Sequence, residues 1–413
     1  MFNLLAFADV MKSVGGILLA IVILLAMVTI HEFGHYVAGK ILGFKINEFS
    51  VGFGPALFKK RSKKTGELFA LRVIPLGGYC AFDGEDEIDE PETQEKSETL
   101  TPAPSESVEN EPFEDFSAQG ETQEHTPAPV VLEKEDEYPE PQGVRFNDQA
   151  PWKRIIVLIA GATMNYILAL FLIFIMFGCI GQPLYRVAEP RIRDDGSVGY
   201  LAPEYQVGDV IESIDGKNVY LITDYMDILS GKQKGDEVEI GVIRGDERVT
   251  IKVTLTGDAK FVNMSDTGRL LGVLGLDGLY TVTVRQSFLD TIGRSFVYSW
   301  KIGGTVLRSL GELLTGKLGL DAMGGPVTTI TVTAQAASSG LLQFLNIAAL
   351  IGVNLAVFNL LPVPALDGSK VIFCFIEWIR KKPINRNVEA MIHFIGIIAL
   401  FAFAILVDLL QLF

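Results

Sequence analysis

Four stretches of the chain are apolar over about 18 residues or more, which is long enough to cross the hydrocarbon core of a membrane as helices. They cover roughly residues 14–38, 155–180, 341–361 and 391–410. The first lacks the short apolar core and small-residue cleavage site of a secretory signal peptide, so we expect it to be retained. The pattern predicts a polytopic α-helical membrane protein with about four transmembrane helices.

Residues 183–283, between the second and third apolar stretches, show a different pattern. Polar and apolar side chains alternate in 237–243 and 248–255, and turn signals stand at Asp215-Gly216 and Gly245-Asp246. Alternation bounded by such turns is typical of paired strands. We expect a compact mixed domain of short strands here.

Residues 287–314 carry apolar side chains at near-helical spacing among Arg and Lys. This pattern predicts an amphipathic helix. Two placements are open for it: the membrane surface, or a position packed beneath the strand domain.

Charge is concentrated in one segment. The chain has a formal net charge of -15 and is 49% hydrophobic, and residues 83–140 hold 21 acidic residues and two Lys. This segment is rich in Glu, Pro, Thr and Ser and too poor in apolar residues to bury a core, so we expect a disordered insert at 83–145. It is either a solvated spacer or a regulatory or calcium-buffering element. The acidity of the whole chain therefore gives no indication of nucleic-acid binding.

Basic residues indicate the orientation, because cytoplasmic loops of membrane proteins carry the excess of Lys and Arg. They crowd the first loop, around residues 59–64 and 153–154, and the short loop around 380–386. Both loops, and with them the acidic insert, should be cytoplasmic. The strand domain should then be extracytoplasmic.

The most informative polar group is His31-Glu32 with His35, at the end of the first apolar stretch. On a helix, positions i and i+4 lie on one face, so both imidazoles can bind one metal ion while Glu32 reaches its water. Ionisable groups inside a membrane helix cost about 2.5–3.5 kcal/mol each and persist mainly where they function. Three within five residues predict a catalytic metal site.

A catalytic zinc site usually takes three protein ligands and leaves one position open. Asp367 stands at the end of the third apolar stretch, whereas His125 falls in the acidic insert and His393 near the start of the last stretch. The first and third membrane helices run in the same direction, so their cytoplasmic ends coincide. We therefore expect Asp367 to meet His35.

Together, HEFGH at 31–35 and NLLPVPALDG at 359–368 make the chain resemble the site-2 protease family of intramembrane zinc metalloproteases, of the bacterial regulator-of-sigma-factor type. Further matches are 49–55, 75–79, 154–165 and 325–327. The resemblance implies Zn²⁺ held by His31, His35 and Asp367, with Glu32 as general base. It also implies that an unwound substrate strand is held by Asn359, Pro362 and Pro364. A simple kink that ends the third helix is the alternative for those three residues.

The resemblance also bears on the remaining segments. Residues 44–79 resemble the family's membrane-associated β-hairpin, and 207–216 resemble a strand and turn of a PDZ domain. Such a domain would bind peptide termini, or it would act as a rigid spacer. Ala162 and Ser369 depart from the family pattern without touching a predicted ligand.

The predicted organisation has six parts. They are a first transmembrane helix with HExxH and the hairpin (1–82), the acidic insert (83–145), a second transmembrane helix (146–182), a PDZ-like α+β domain (183–283), an amphipathic connecting segment (284–340), and the third and fourth transmembrane helices with the LDG motif (341–413). Expected partners are the lipid bilayer and single-pass transmembrane substrates, such as anti-sigma factors or remnant signal peptides. Alternative functions are a catalytically silent scaffold, a metal transporter and a tethered soluble-type protease.

Overall fold

The computed structural model describes residues 4–85, 138–192, 198–261, 266–320 and 323–411. Most of the predicted acidic insert lies outside these residues. The helices in chain order are α1 (Leu4–Leu42), α2 (Pro151–Ile175), α3 (Ile222–Leu229), α4 (Thr267–Leu274), α5 (Phe288–Leu314), α6 (Pro326–Ser339), α7 (Leu341–Asn359), α8 (Asp367–Arg380) and α9 (Arg386–Leu410). The strands are β1 (Ile46–Arg61), β2 (Leu68–Phe82), β3 (Gln182–Val187), β4 (Val210–Ile214), β5 (Lys217–Asn218), β6 (Glu237–Arg244), β7 (Glu247–Thr254) and β8 (Leu279–Val284).

Four helices in the described part of the chain are long and apolar enough to cross a membrane: α1 from Val14 onward, α2 with the π-helical turn that continues it to Ile180, α7 and α9. They coincide with the four predicted crossings. α2 lies between α1 and α7, and small residues allow the close contacts: Gly352 of α7 lies against Ala169 of α2. Close approach through small residues is the usual packing of helices in lipid.

Strands β1 and β2 form the predicted hairpin, but each strand contributes to more than one pairing. Residues 68–71 pair with 58–61 on one side and with 48–51 on the other, and 48–51 also pair with 78–81. The segment 78–81 is therefore an outer edge of this small sheet. At the opposite end, Leu57 and Phe58 are exposed apolar side chains. An exposed apolar end of this kind fits association with a membrane.

The second sheet has strand order β7-β6-β4-β3-β8 with β5 paired to β4, and every pairing is antiparallel. The two predicted strands and both turns fall at β6, β7 and the β4–β5 connection. Its core is apolar and includes Ile211, Tyr225, Leu229 and Ile240, all fully buried. Because β3 follows α2 directly and β8 leads into α5, the sheet domain continues at one end into a membrane-crossing helix and at the other into α5.

Helix α5 is tied to the sheet domain by three ion pairs. Arg294, Lys301 and Arg308 recur every seven residues and so lie on one face of the helix. Their partners are Glu212 at 2.9 Å, Asp224 at 2.5 Å and Asp227 at 2.6 Å. Residues on other faces are exposed, among them Phe288, Phe296 and Trp300. Of the two placements expected for this helix, packing against the strand domain accounts for the charged face.

Two helices fall where the sequence predicted connections. Residues 284–340 contain α6 as well as α5, and α6 lies against α1, with the Ala334 carbonyl close to Gly16. The connection between the last two crossings is not a short loop, because it contains the 14-residue helix α8. Gly368, Ser369, Cys374 and Glu377 are the buried residues of α8. That helix begins at Asp367 and thereby fixes where this side chain lies.

Candidate metal centre

The centre is built on α1. This helix contains no proline and continues without interruption from the apolar stretch through the polar residues to Leu42. His31 and His35 therefore lie one turn apart on one face. Both are buried, with 8% and 6% of their surface exposed. A buried pair of imidazoles needs partners for its ring nitrogens, and these come from three other elements.

Asp367 completes a triangle of donor atoms. Its Oδ2 lies 3.0 Å from His31 Nε2 and 3.3 Å from His35 Nε2, and the two Nε2 atoms are 3.1 Å apart. Burial alone would raise the pKa of Asp367, but the facing imidazoles of His31 and His35 lower it by more, so it lies well below its usual range. The side chain is therefore a carboxylate at neutral pH, which is its metal-binding form.

The spacing of these three atoms fits zinc. With ligand bonds of about 2.0–2.1 Å, two ligands of a tetrahedral zinc ion stand about 3.3 Å apart. The observed edges are 3.0, 3.1 and 3.3 Å. Two imidazoles and one carboxylate leave a fourth position, as catalytic zinc sites require. Among the described residues, this is the one group of three or more His, Cys, Asp or Glu side chains gathered in this way.

The backbone of α2 fixes the orientation of His35. Its Nδ1 lies 2.8 Å from the carbonyl oxygen of Val157. Since a carbonyl can only accept a hydrogen bond, Nδ1 carries the proton, and the lone pair of a neutral ring is on Nε2. This is the tautomer that binds a metal through Nε2.

Two asparagine amides flank His31. The Nδ2 atoms of Asn165 and Asn359 each lie 3.3 Å from His31 Nδ1. Asn165 is fully buried, and its Oδ1 has no partner among the described residues. With either amide turned so that its oxygen faces Nδ1, His31 donates there and keeps its Nε2 lone pair for a metal.

Glycines let α1 and α2 approach closely at the centre. A Cβ on Gly161 would lie 2.3 Å from His35 Nε2 and 2.8 Å from His31 Cε1. A Cβ on Gly34 would lie 2.4 Å from the carbonyl oxygen of Ala160. No larger residue fits at either position without displacing its neighbours.

Glu32 projects from the same turn of α1 toward β2. Its carboxylate lies near the backbone of Cys80 and stands close enough to both histidines and Asp367 to interact electrostatically with them. Its Cγ also lies beside Gly78. Glu32 is therefore located between the metal centre and the outer edge 78–81 of the small sheet.

Asn359 ends α7, and Pro362 and Pro364 lie in the loop that connects α7 to α8. Asn359 reaches His31, as described above, whereas Pro362 is exposed to the surroundings. Pro364 packs on Gly396 of α9, where an added Cβ would lie 2.4 Å from the proline Cβ. The structure thus brings Asn359 to the metal centre itself and places the two prolines beside it.

The same loop holds a strained residue. Ala365 has φ of 79°, a left-handed conformation that costs a non-glycine residue about 1–2 kcal/mol. Its N–H donates to Nδ1 of His393 on α9 at 3.2 Å. His393 and Gly396 together hold the loop two residues before Asp367.

Sequence patterns alone did not single out Gly161, Asn165 or His393 for these positions. Asn165 had a detectable signal, since it is an amide in the middle of an apolar stretch, where polar residues are costly. The role of Gly161 depends on the position of α1, and the sequence offers His393 only as a candidate metal ligand.

A membrane-crossing helix with two buried histidines and a glutamate, met by a partly buried aspartate at the start of α8, defines the class of membrane metalloproteases. The sequence model of Peptidase family M50 matches residues 19–403. The chain therefore belongs to peptidase family M50, the site-2 protease family that its motifs resemble.

Relatives of known name agree. The chain is similar to the zinc metalloprotease RasP of Bacillus licheniformis, at 29% identity over 409 residues, 90% of this chain and 92% of that protein. It is 29% identical over 423 residues to the regulator of sigma-W protease RasP of Bacillus subtilis, covering 93% and 95%. A putative zinc metalloprotease of Rhizobium meliloti, R01501, is 26% identical over 395 residues, covering 91% and 90%. These matches support a multi-pass membrane zinc metalloendopeptidase.

Proposed function

We propose that this zinc metalloprotease cuts single-pass transmembrane proteins inside or beside the bilayer, with Zn²⁺ held by His31, His35 and Asp367. The observation that carries the proposal is the triangle of donor atoms, whose edges are 3.0–3.3 Å long. Two of the three donor atoms belong to a membrane-crossing helix. A peptide bond cut at this centre must come from a segment that reaches the membrane.

Glu32 is the general base in this proposal. Zinc, when bound, supplies Lewis-acid chemistry that polarises the scissile carbonyl and brings the pKa of a water to about 7. Glu32 accepts the proton of the attacking water and returns it to the leaving amine. Its position beside the three ligands is suited to both transfers.

The substrate would lie extended between two parts of the site. The outer edge 78–81 of the small sheet can pair with an added strand, which is a recurring mode of peptide recognition. On the other side, Asn359 and the loop with Pro362 and Pro364 offer an amide and backbone groups outside a helix. Extension matters because a peptide bond in a helix is shielded by its own hydrogen bonds.

The substrate class follows by analogy. One relative is named a regulator of sigma-W protease. We infer that this chain acts on single-pass proteins of that regulatory kind, such as anti-sigma factors, or on remnant signal peptides. The sheet domain is proposed to be PDZ-like and extracytoplasmic, where it would bind peptide termini or restrict which substrates reach the zinc.

The test of the proposed activity uses protein purified in detergent. Bound zinc is measured together with cleavage of a helix-destabilised transmembrane substrate by wild type, Glu32→Gln, Asp367→Asn and the control Glu247→Gln, which alters an exposed carboxylate of β7. We expect stoichiometric zinc in wild type, Glu32→Gln and the control, and less in Asp367→Asn. Cleavage should be lost in Glu32→Gln and Asp367→Asn alone.

If the Glu32→Gln variant cleaved the substrate as fast as wild type, Glu32 would not be the general base. If the wild-type protein bound zinc but did not cleave the membrane substrate, the result would favour the alternative of a catalytically silent scaffold.

The orientation has its own test. Glu247→Cys is made in a Cys179→Ser background, since Cys179 is the exposed thiol among the three free cysteines and Cys80 and Cys374 are buried. A membrane-impermeant maleimide should label residue 247 in intact cells. Labelling only after the cells are opened would reverse the proposed topology.

A further inference from the structure

A cleft of about 390 Å³ lies at the surface between the N-terminus of α2 and the connection from α8 to α9. It is separate from the metal centre. Its charged and aromatic lining consists of Arg154 from α2, Glu377 and Trp378 from α8, and Lys381, Lys382 and Arg386 from the connection and the start of α9.

The lining is strongly cationic. Four basic side chains face one carboxylate, that of Glu377. Glu377 is already engaged by Arg154, by Arg386 at 3.1 Å and by the backbone amide of Ile384 at 2.9 Å. Lys381 and Lys382 are exposed and have no carboxylate partner among the described residues. The cleft therefore holds a positive charge that the surrounding described residues leave unbalanced.

A neighbouring cavity shows that this excess is local. That cavity, of about 270 Å³, shares Arg154 and Arg386 but is also lined by Glu85 and Glu389. Glu389 pairs with Arg386 at 2.8 Å, and Glu85 with Lys370 at 2.7 Å. Its cations are matched by carboxylates, whereas Lys381 and Lys382 of the larger cleft are not matched by any described one.

Arg154 indicates what the cleft binds. Its side chain is buried, with 3% of the residue exposed, and one end pairs with Glu377. The Nε–H has no acceptor among the described residues. A buried donor left unsatisfied costs about 1–3 kcal/mol, which an anionic oxygen that enters through the cleft and reaches Arg154 would offset. The N-terminus of α2 lies in the same place without a side-chain cap, and a helix N-terminus favours anions.

The position of the cleft relative to the membrane indicates the source of the anion. It opens where α2 and α9 begin, that is, at the ends of two membrane-crossing helices. Trp378 lines it and is 52% exposed, and Trp152 beside it is 43% exposed. Exposed tryptophans favour the headgroup level of a bilayer, where basic pockets between helices bind anionic lipids.

We propose that this cleft binds a phosphate group, presented by the headgroup of an anionic phospholipid. The phosphate oxygens accept hydrogen bonds from Arg154, Lys381 and Lys382. The bound headgroup would link α2 and α8, the two helices that bring the Val157 carbonyl and Asp367 to the metal centre.

The test measures lipid binding and needs no proteolysis. The full chain in neutral detergent is titrated with phosphatidylglycerol or phosphatidylcholine and followed by native mass spectrometry. Lys381→Gln/Lys382→Gln is compared with Lys217→Gln/Lys234→Gln, an equal charge change at exposed residues of the sheet domain. Each basic residue near an anionic headgroup contributes about fivefold in affinity, so the cleft variant should bind phosphatidylglycerol about 30-fold more weakly. The control and phosphatidylcholine binding should be unchanged.

Inorganic phosphate distinguishes the two sources of the anion. Competition by phosphate only at high concentration, with a retained preference for phosphatidylglycerol, supports the lipid. Tight phosphate binding that is lost in the cleft variant, without any lipid preference, supports the anion site but assigns it to soluble phosphate. Equal losses in both double variants, or no loss in either, would overturn the proposal. Unchanged zinc content and melting temperature show that the variants are folded.

Discussion

Replacing Gly161 with alanine tests whether the metal centre depends on close contact between α1 and α2. The added Cβ would lie 2.3 Å from His35 Nε2 and 2.8 Å from His31 Cε1. Ordinary van der Waals contact begins near 3.4 Å. The ring of His35 must therefore retreat by about 1 Å, whereas zinc–ligand distances tolerate about 0.2 Å.

We expect Gly161→Ala to lower kcat/KM at least 100-fold, because a misplacement of about 1 Å at a reacting centre costs roughly that factor. Zinc affinity should fall as well, since one of three ligands is displaced. The assay is zinc content after dialysis against a graded series of chelator concentrations, together with cleavage of the transmembrane substrate.

Gly178→Ala is the matched control, because it lies in the same membrane span and an added Cβ there meets nothing within 4 Å. It should behave as wild type. If Gly161→Ala kept full zinc affinity and wild-type turnover, the metal centre would not depend on close contact between α1 and α2.

Two further predictions concern the loop before the third ligand and the sheet domain. His393→Ala removes the acceptor for the N–H of Ala365 in the loop, at a cost of about 1–3 kcal/mol, so zinc affinity and turnover should fall. His393→Asn has an oxygen that can accept the same hydrogen bond, so it should restore both. In the sheet domain, burial alone would raise the pKa of Asp209. Hydrogen bonds from Arg244 lower this pKa by a larger amount, so it lies below its ordinary value. That stabilisation is present above about pH 4 and is lost as the pH falls through the folded-state pKa, so the melting temperature should drop on acidification.

Each of these has an outcome that contradicts it. Equal defects in His393→Ala and His393→Asn would show that ring packing, and not the hydrogen bond, matters. For the sheet domain, Asp209→Asn should melt lower at pH 7 and lose less on acidification to pH 3.5. A variant as acid-sensitive as wild type would place the titrating group elsewhere.

The sequence predicted the membrane crossings and the meeting of α1 with Asp367 because both follow from long-range regularities. Twenty apolar residues have one stable arrangement in lipid, and alternating crossings fix which helix ends coincide. Two histidines at i and i+4 share a face whatever surrounds them. These inferences need no knowledge of side-chain packing.

Helix α6 was missed for a local reason. It is rich in Thr, which has low helix propensity in water. In the structure the hydroxyls of Thr329, Thr331 and Thr333 donate to carbonyls four residues earlier, and Asp408 of α9 accepts from the first amides of the helix. The helix depends on contacts from distant parts of the chain, which no local pattern contains.

Helix α8 and the positions of Gly161 and His393 were missed for the same kind of reason. Fourteen residues are too few to span a membrane, and the basic residues after α8 indicated only a loop. The need for a glycine at 161 exists only once α1 lies against it.

The three residues proposed to hold the metal lie far apart in the sequence, His31 and His35 early and Asp367 late. During synthesis the histidines enter the membrane long before the aspartate has been translated. A nascent chain, or one truncated anywhere between them, therefore holds two of the three ligands and cannot form the complete site. Under the proposed function, cleavage at this centre has to wait until α8 has been synthesised and has docked against α1 and α2.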